Sequence, residues 1–423
     1  MASGIRINGE RLWQSLMDMA AIGATPGGGC CRLAATDEDA RGRGLFTDWV
    51  EAAGYHWYLD RMGNQFVRRP GADNELLPIR IGSHLDTQPS GGRFDGVLGV
   101  LAGLEVLRSL DDHRIRTHRP VEIVNWLNEE GARFAPPMMG SGVWAGALDE
   151  ADALATVGQD GARLNDELER LGWVGDVPAT HRANPMEAYL ELHIEQGPVL
   201  EQAGDMIGIV TGAQAQRWYE VVLIGQDAHA GTTPMQLRRD ALVGAARVIE
   251  RVDRLGRDEV PGACATVGII DVHPHSRNVV PGRAFLTIDV RHPDDATLAE
   301  LDRTLRGEVR TIAEASELDC DIRELWRAPA RPFDDAMAGH LRAAATHLGY
   351  RHRDMVSGAG HDAVHVATVC PAAMVFVPCE HGISHNEAEN ITPEQAIAGG
   401  AVLFEAAIAA AGSAGSSHHP GNR

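Results

Sequence analysis

No CxxC pair occurs among the six cysteines of this 423-residue chain. Cys30 and Cys31 are adjacent, a poor start for a disulfide framework, so the six read as reduced thiols in a cytoplasmic protein. Positive charge is scarce as well: 38 Lys and Arg stand against 59 Asp and Glu, a formal net charge of −21. Such a surface repels phosphate backbones and anionic lipid heads, which disfavours nucleic acid and membranes as partners. Uninterrupted apolar runs are missing too. The first twenty residues carry Arg6, Glu10, Arg11 and Asp18, which argues against a signal peptide. The longest apolar stretch, 396–412, is broken by Glu405 and rich in Ala and Gly, so it reads as a terminal helix packed on the body rather than a membrane span. There is no internal repeat. From about residue 412 a Gly- and Ser-rich segment leads into a polar end that reads as a loose tail.

What is present is ordinary for a globular protein, with 44% hydrophobic and 23% charged residues and length enough for two or three domains. Residues 8–60 read as largely helical, with Leu12, Leu16 and Met19 at helical spacing. A buried strand at 77–83, a helix at 96–110 and a second strand at 121–127 predict a parallel α/β sheet with active residues at the carboxyl ends of its strands. The texture changes near residue 214. A strand at 218–225, a helix at 239–252, strands at 264–271 and 283–291, a helix at 295–315 and a strand at 320–325 follow in ferredoxin-like order. The first kind of patterning resumes after about residue 332, with a strand at 373–377. The reading is one α/β domain over 1–213 and 330–423, split by an inserted α+β domain at 214–329.

Several charged or imidazole side chains fall at the ends of these strands. His84 closes the first strand in SHLDT, with Asp86 placed to hydrogen-bond the ring nitrogen that a metal does not use. Alone it could equally be a satisfied histidine. Asp95 follows a glycine-rich turn at the mouth of a helix, as a plain N-terminal aspartate or as a bridging carboxylate. Glu129 and Glu130 end the second strand; adjacent carboxylates repel unless cations or protons intervene, so one could bind metal while the other activates water. A solvated turn is the alternative. His193 shares a strand face with Glu191 and Glu195, as a ligand or a half-exposed residue. His385 lies in a loop after the strand at 373–377. Together these make five nitrogen and oxygen ligands on separate segments, the composition expected for a pair of borderline divalent ions.

The set SHLDT, GGRFDGVLGV, NEEGARF, HIEQG, SGAGHDA and GISHNE resembles the hydantoinase/carbamoylase branch of the M20 metallopeptidase superfamily, in order over nearly the whole chain. His193 is informative, because peptidase branches usually carry an acidic residue there. The resemblance implies a di-metal catalytic α/β domain with an inserted ferredoxin-like lid and dimerisation domain. It implies two divalent ions per subunit, Zn²⁺ foremost, with Mn²⁺, Co²⁺ or Ni²⁺ as alternatives. His84, Asp95 and His193 would hold one ion, and Asp95, Glu130 and His385 the other. Glu129 would be the general base and Asp86 would orient His84. His229, in QDAHAG, would reach the partner subunit's site in a homodimer and stabilise an oxyanion. Arg217, Asn278 and Arg291 match substrate-binding positions, with Gln196 and Gly360 as further pocket residues. His275 stands where relatives often have asparagine. His361 and His365 would support the site from near a glycine-rich loop, and the other histidines read as surface or packing residues.

The implied activity is hydrolysis of the ureido C–N bond of a small anionic N-carbamoyl amino acid, of an L-amino acid or β-alanine, to amino acid, carbon dioxide and ammonia. Rivals on the same site are an allantoate or aminoacylase-type hydrolase; a rival of another class is a non-catalytic metal-binding relative.

Overall fold

The structure, a computed structural model, describes residues 6–413. The tail beyond Ser413 lies outside the described residues, as do His418 and His419. The chain divides into two compact units, one running to Gly212 and resuming at Pro332, the other spanning Ala213–Arg331.

The first unit is built on a nine-stranded sheet. Its order is His56–Leu59, Gln65–Arg69, Val121–Trp126, Ile79–His84, Ala188–Ile194, Ala372–Val377, Ile207–Ala213 and Arg331–Pro332, with His352–Ser357 also pairing Ile207–Ala213. The centre is parallel: Ile79–His84 lies between Val121–Trp126 and Ala188–Ile194, and Ala372–Val377 continues the run. The flanks are antiparallel, so the sheet is mixed where the sequence pattern predicts a parallel one. The reason is local. Only a short turn joins His56–Leu59 to Gln65–Arg69, too little chain for the crossover that parallel pairing needs.

The helical reading of residues 8–60 also needs correction. Helices span Gly9–Ala20 and Asp37–Ala52, but Gly54, at φ +77°, lets the chain leave the second helix and enter the edge strand at His56. The central strands are buried at every position, which is why they read as apolar runs rather than alternating ones. Helices Val97–Asp112 and Pro393–Ala411 pack with Gly9–Ala20 into the main core. The last of them, Pro393–Ala411, is long and apolar enough to cross a membrane, yet Ala396, Val402, Leu403 and Phe404 are buried in that core. Its start is set by Thr392 and Gln395, which form a reciprocal capping box.

The second unit is a four-stranded antiparallel sheet ordered Asp319–Ala328, Ala215–Ile224, Arg283–His292, Cys264–His273. Helices Ala241–Arg254 and Asp295–Ala315 pack on one face. Strand alternation sends Tyr219, Val221, Leu223, Leu286, Ile288 and Val290 into their shared core, while Trp218 and Ile224 stay exposed. Order and pairing make this the ferredoxin-like unit that the sequence predicts.

Candidate metal centre

The parallel strands deliver their polar residues to one sheet edge. His84 is the last residue of its strand, and Glu129 and Glu130 follow Val121–Trp126 by three and four positions. His193 is the penultimate residue of Ala188–Ile194 and is buried, so the half-exposed alternative falls away. Asp95 precedes helix Val97–Asp112 across Gly96, whose φ is +67°. Glycine is required there: a Cβ on Gly96 would lie 2.3 Å from the His84 ring.

Asp95 stands at the centre of the arrangement. Its Oδ1 lies 3.0 Å from His193 Nε2 and 3.7 Å from His84 Nε2. Its Oδ2 lies 3.4 Å from His385 Nε2, which is in turn 3.4 Å from Glu130 Oε2. Two groups of donors result, His84 with Asp95 and His193, and Asp95 with Glu130 and His385; within each, the donor atoms lie within 4.8 Å of one another. The two oxygens of one carboxylate thus face two different groups. Both buried imidazoles place Nδ1 2.9 Å from a backbone carbonyl, that of Asp86 for His84 and that of Ile194 for His193. Donating from Nδ1 leaves Nε2 as the nitrogen that offers its lone pair to a metal once it carries no proton, the state a metal ligand requires. A divalent pair therefore fits these donors: three imidazoles and two carboxylates, with one carboxylate shared.

Asp86 departs from expectation in one respect. Its backbone carbonyl, not its carboxylate, meets His84 Nδ1; the carboxylate oxygen is 3.8 Å away. That carboxylate instead accepts the backbone N–H groups of Glu129 and Glu130, at 3.3 Å each. Two residues along the loop the chain has turned, so main chain faces the ring and side chain faces the neighbouring strand end.

The titration pattern shows what burial and crowding do here. Burial pushes His84 down to about 4. Burial also opposes charge on His193, yet the Asp95 carboxylate outweighs it and raises that imidazole to about 9. Burial alone would raise Asp95, but His193, His84 and His385 hold it well below the usual carboxylate range. Glu129 is raised well above the usual range by burial, then by Asp362, Glu130 and Asp86. Glu130 is raised likewise, by burial and then Asp95. Five acids crowded together, Asp86, Asp95, Glu129, Glu130 and Asp362, want cations. Glu129 Oε2 is 3.5 Å from His84 Nε2, beside the first group.

A third grouping, Glu191, His193 and His361, lies deeper. Its donors are engaged by protein: Glu191 accepts from Ser83 Oγ, Tyr189 OH and the N–H of Ala363, and His361 Nε2 meets Ser357 Oγ at 2.9 Å. The His361 ring packs edge-on against His193, with centroids 4.5 Å apart. Of the expected pocket residues, Gln196 donates to Asp95 Oδ2 at 2.8 Å and so touches the shared carboxylate directly. Gly360 precedes His361, facing the side chain of Met138, whose N–H bonds the carbonyl of Glu129.

Sequence reasoning overlooked Glu389. It is buried, takes the N–H groups of Phe94 and Asp95 at 3.0 and 3.1 Å, and meets Ser384 Oγ at 2.9 Å. No motif marks it, because two of its three partners are main-chain groups.

The second unit holds His229, Asn278, Arg291 and Arg217. The two-residue strand Ala228–His229 pairs with Val279–Val280, so His229 and Asn278 come together, and the Ala230 N–H bonds the Asn278 carbonyl at 2.9 Å. His229 is exposed, and its Nδ1 accepts the N–H groups of Gly231 and Thr232 at 3.0 and 3.2 Å. An accepting Nδ1 carries no proton, so Nε2 is the N–H donor. Arg291 pairs in register with Gln216, on the sheet face away from the helices, beside Asp289 at 2.7 Å. Arg217 pairs with Val290 on the helix-covered face and is held by Asp302 at 2.9 Å and Glu324 at 3.5 Å. The expectation that Arg217 assists Arg291 on one anion therefore fails on geometry: neighbouring strand positions point to opposite faces.

Comparison with known proteins identifies the family. The family model described as "Peptidase family M20/M25/M40" matches residues 81–410. An N-carbamoyl-L-amino-acid amidohydrolase of Rhizobium meliloti is 47% identical over 95% of this chain and 96% of its own length. An allantoate amidohydrolase of Bacillus subtilis is 34% identical over 89% and 92%. A solved amidase of the hydantoinase/carbamoylase family from Burkholderia multivorans superposes with a TM-score of 0.93 at 53% identity, covering 96% of this chain and 98% of that one. The chain belongs to the M20/M25/M40 peptidase family, in its hydantoinase/carbamoylase branch.

Proposed function

We propose that this protein is an amidohydrolase that cleaves the ureido C–N bond of N-carbamoyl amino acids, using two divalent ions held by His84, Asp95 and His193 and by Asp95, Glu130 and His385. The observation that carries the reading is Asp95, with one oxygen toward each ligand group and Glu129 alongside. The family is metal-dependent, and ions bound here would acidify water and polarise a carbonyl. Zn²⁺ suits the donor set best, and Mn²⁺, Co²⁺ or Ni²⁺ are compatible with it.

The residues divide the chemistry between them. Arg291 offers a guanidinium to the substrate carboxylate, and Asn278 is a second substrate contact. Glu129, beside the first ligand group, takes the proton of the attacking water and returns it to the leaving nitrogen. His229 offers Nε2–H to the developing oxyanion. Products would be the free amino acid, carbon dioxide and ammonia. Replacing Glu129 by Gln should lower turnover by at least about 10²-fold while both ions still bind; near-normal turnover would remove the base assignment. Assays on N-carbamoyl-L-amino acids, N-carbamoyl-β-alanine, allantoate and N-acetyl amino acids decide the substrate. The second reading, an allantoate hydrolase, has the support of the 34% identical relative, and turnover of allantoate alone would favour it.

An exposed His229 donor supports a homodimer in which this residue serves a neighbouring subunit, and sedimentation of a fully active monomer would exclude it. The six cysteines are unpaired, which supports a reducing, cytoplasmic setting.

A further inference from the structure

Glu389 joins two of the segments that carry the proposed ligands. One oxygen, Oε1, accepts the consecutive N–H groups of Phe94 and Asp95, so it fixes the main chain from which the shared carboxylate projects. The other, Oε2, meets Ser384 Oγ at 2.9 Å, and the same hydroxyl lies 2.9 Å from Asp95 Oδ2. Ser384 immediately precedes His385. Through one carboxylate, therefore, the turn carrying Asp95 is bound to the loop carrying His385, although nearly three hundred residues separate them in sequence. The fit is close: a Cβ on Gly92 would sit 2.0 Å from the Glu389 carboxyl carbon, so the glycine turn leaves room for this side chain. His385 needs such an anchor, being half-exposed on its side chain and held at φ +52°.

We propose that Glu389 is a positioning residue that aligns Asp95 with His385 and thereby sets the affinity for the ion shared by Asp95, Glu130 and His385. The proposal rests on the two-ion reading above. Glu389 belongs to neither donor group; it acts through the backbone of Asp95 and the hydroxyl of Ser384. Groups that orient metal ligands in this way are typically worth about 10–100-fold in metal affinity. Asp95 is common to both groups, but the His84 and His193 rings are held by their own carbonyl contacts, so the loss should fall more heavily on the ion of Asp95, Glu130 and His385.

The experiment is calorimetric titration of the full-length, metal-free protein with Mn²⁺, with thermal unfolding of the same metal-free samples. Wild type is expected to take up two ions. In Glu389→Ala, binding of one of them should weaken by about 10–100-fold, and the other should change little. Glu389→Gln keeps an acceptor for the two backbone N–H groups and should recover most of the lost affinity. Ser384→Ala removes the hydroxyl link without touching the backbone clamp, and should weaken the same ion to a smaller degree. If Glu389→Ala does not fold, the Gln and Ser384→Ala proteins carry the comparison. Two tight ions at wild-type affinity in both Ala variants would overturn the proposal, as would equal weakening of both ions accompanied by a general fall in unfolding temperature. Failure of wild type to bind two ions would instead count against the metal centre itself, so the two failures are distinct.

Discussion

At His193 a proton and a metal ion compete for one nitrogen. Burial resists charge on this ring, but Asp95 lies 3.0 Å away and raises it to about 9, so the metal-free protein holds the proton at pH 7. An ion can bind Nε2 only by displacing it. Metal uptake near pH 7 should therefore release at least one proton, and apparent affinity should rise with pH until about 9. Titration in buffers of different ionisation enthalpy measures that proton directly, and a released count of zero would sink the arrangement. The same shift has a sign for stability. The folded value lies above the ordinary 6.5, so this residue stabilises the metal-free fold fully below about 6.5, and that contribution is lost as pH rises through about 9. The proposed ligands were legible as residues because each stands in a short motif at a strand end, a helix mouth or a loop. Glu389 was not, since its work is done on backbone N–H groups that any residue type would present.

Among the elements, the parallel pair Ile79–His84 and Val121–Trp126 positions His84, Glu129 and Glu130, and a buried ion cluster sits at its far end. Glu122, fully buried, accepts from Arg80 Nε at 2.7 Å and from Arg68 Nη1 at 2.5 Å. Arg80 is buried as well, and its other contacts are to Asn184 and Tyr58, which carry no charge. Replacing Glu122 by Ala would strand that guanidinium and should cost about 3–5 kcal/mol. Urea unfolding of the metal-free protein measures it; a loss below about 1 kcal/mol would mean that water reaches Arg80. The two strands themselves were readable as apolar runs. Their antiparallel flanks were not, because Gln65–Arg69 and Ile207–Ala213 pair by proximity in the sheet rather than by any pattern of their own.

For the molecule as a whole, connectivity places the proposed metal ligands and three of the proposed substrate contacts in different units. All five proposed ligands belong to the first unit, whereas His229, Asn278 and Arg291 belong to the second. The chain leaves the first unit through Ile207–Ala213 and re-enters it through Arg331–Pro332, a neighbouring strand of the same sheet, and each unit has its own core. Replacing residues 214–330 by a short Gly–Ser linker should therefore give a folded protein that retains both ions and lacks hydrolysis of N-carbamoyl substrates. Metal analysis and assay of that protein check it; loss of the ions on excision would show that the second unit is needed to hold them.

By itself the sequence determined the two-unit plan, the ferredoxin-like order of the insert and the identity of the acids and imidazoles at the strand ends. Those follow from hydrophobic periodicity and from local spacing, which a linear chain displays. Tertiary structure alone decided that Asp95 turns one oxygen to each ligand group, that Asp86 orients His84 by its carbonyl, and that Arg217 and Arg291 lie on opposite faces of one sheet. Each of these depends on where a side chain points after the backbone has turned, and on partners tens to hundreds of residues away, so no local pattern encodes it.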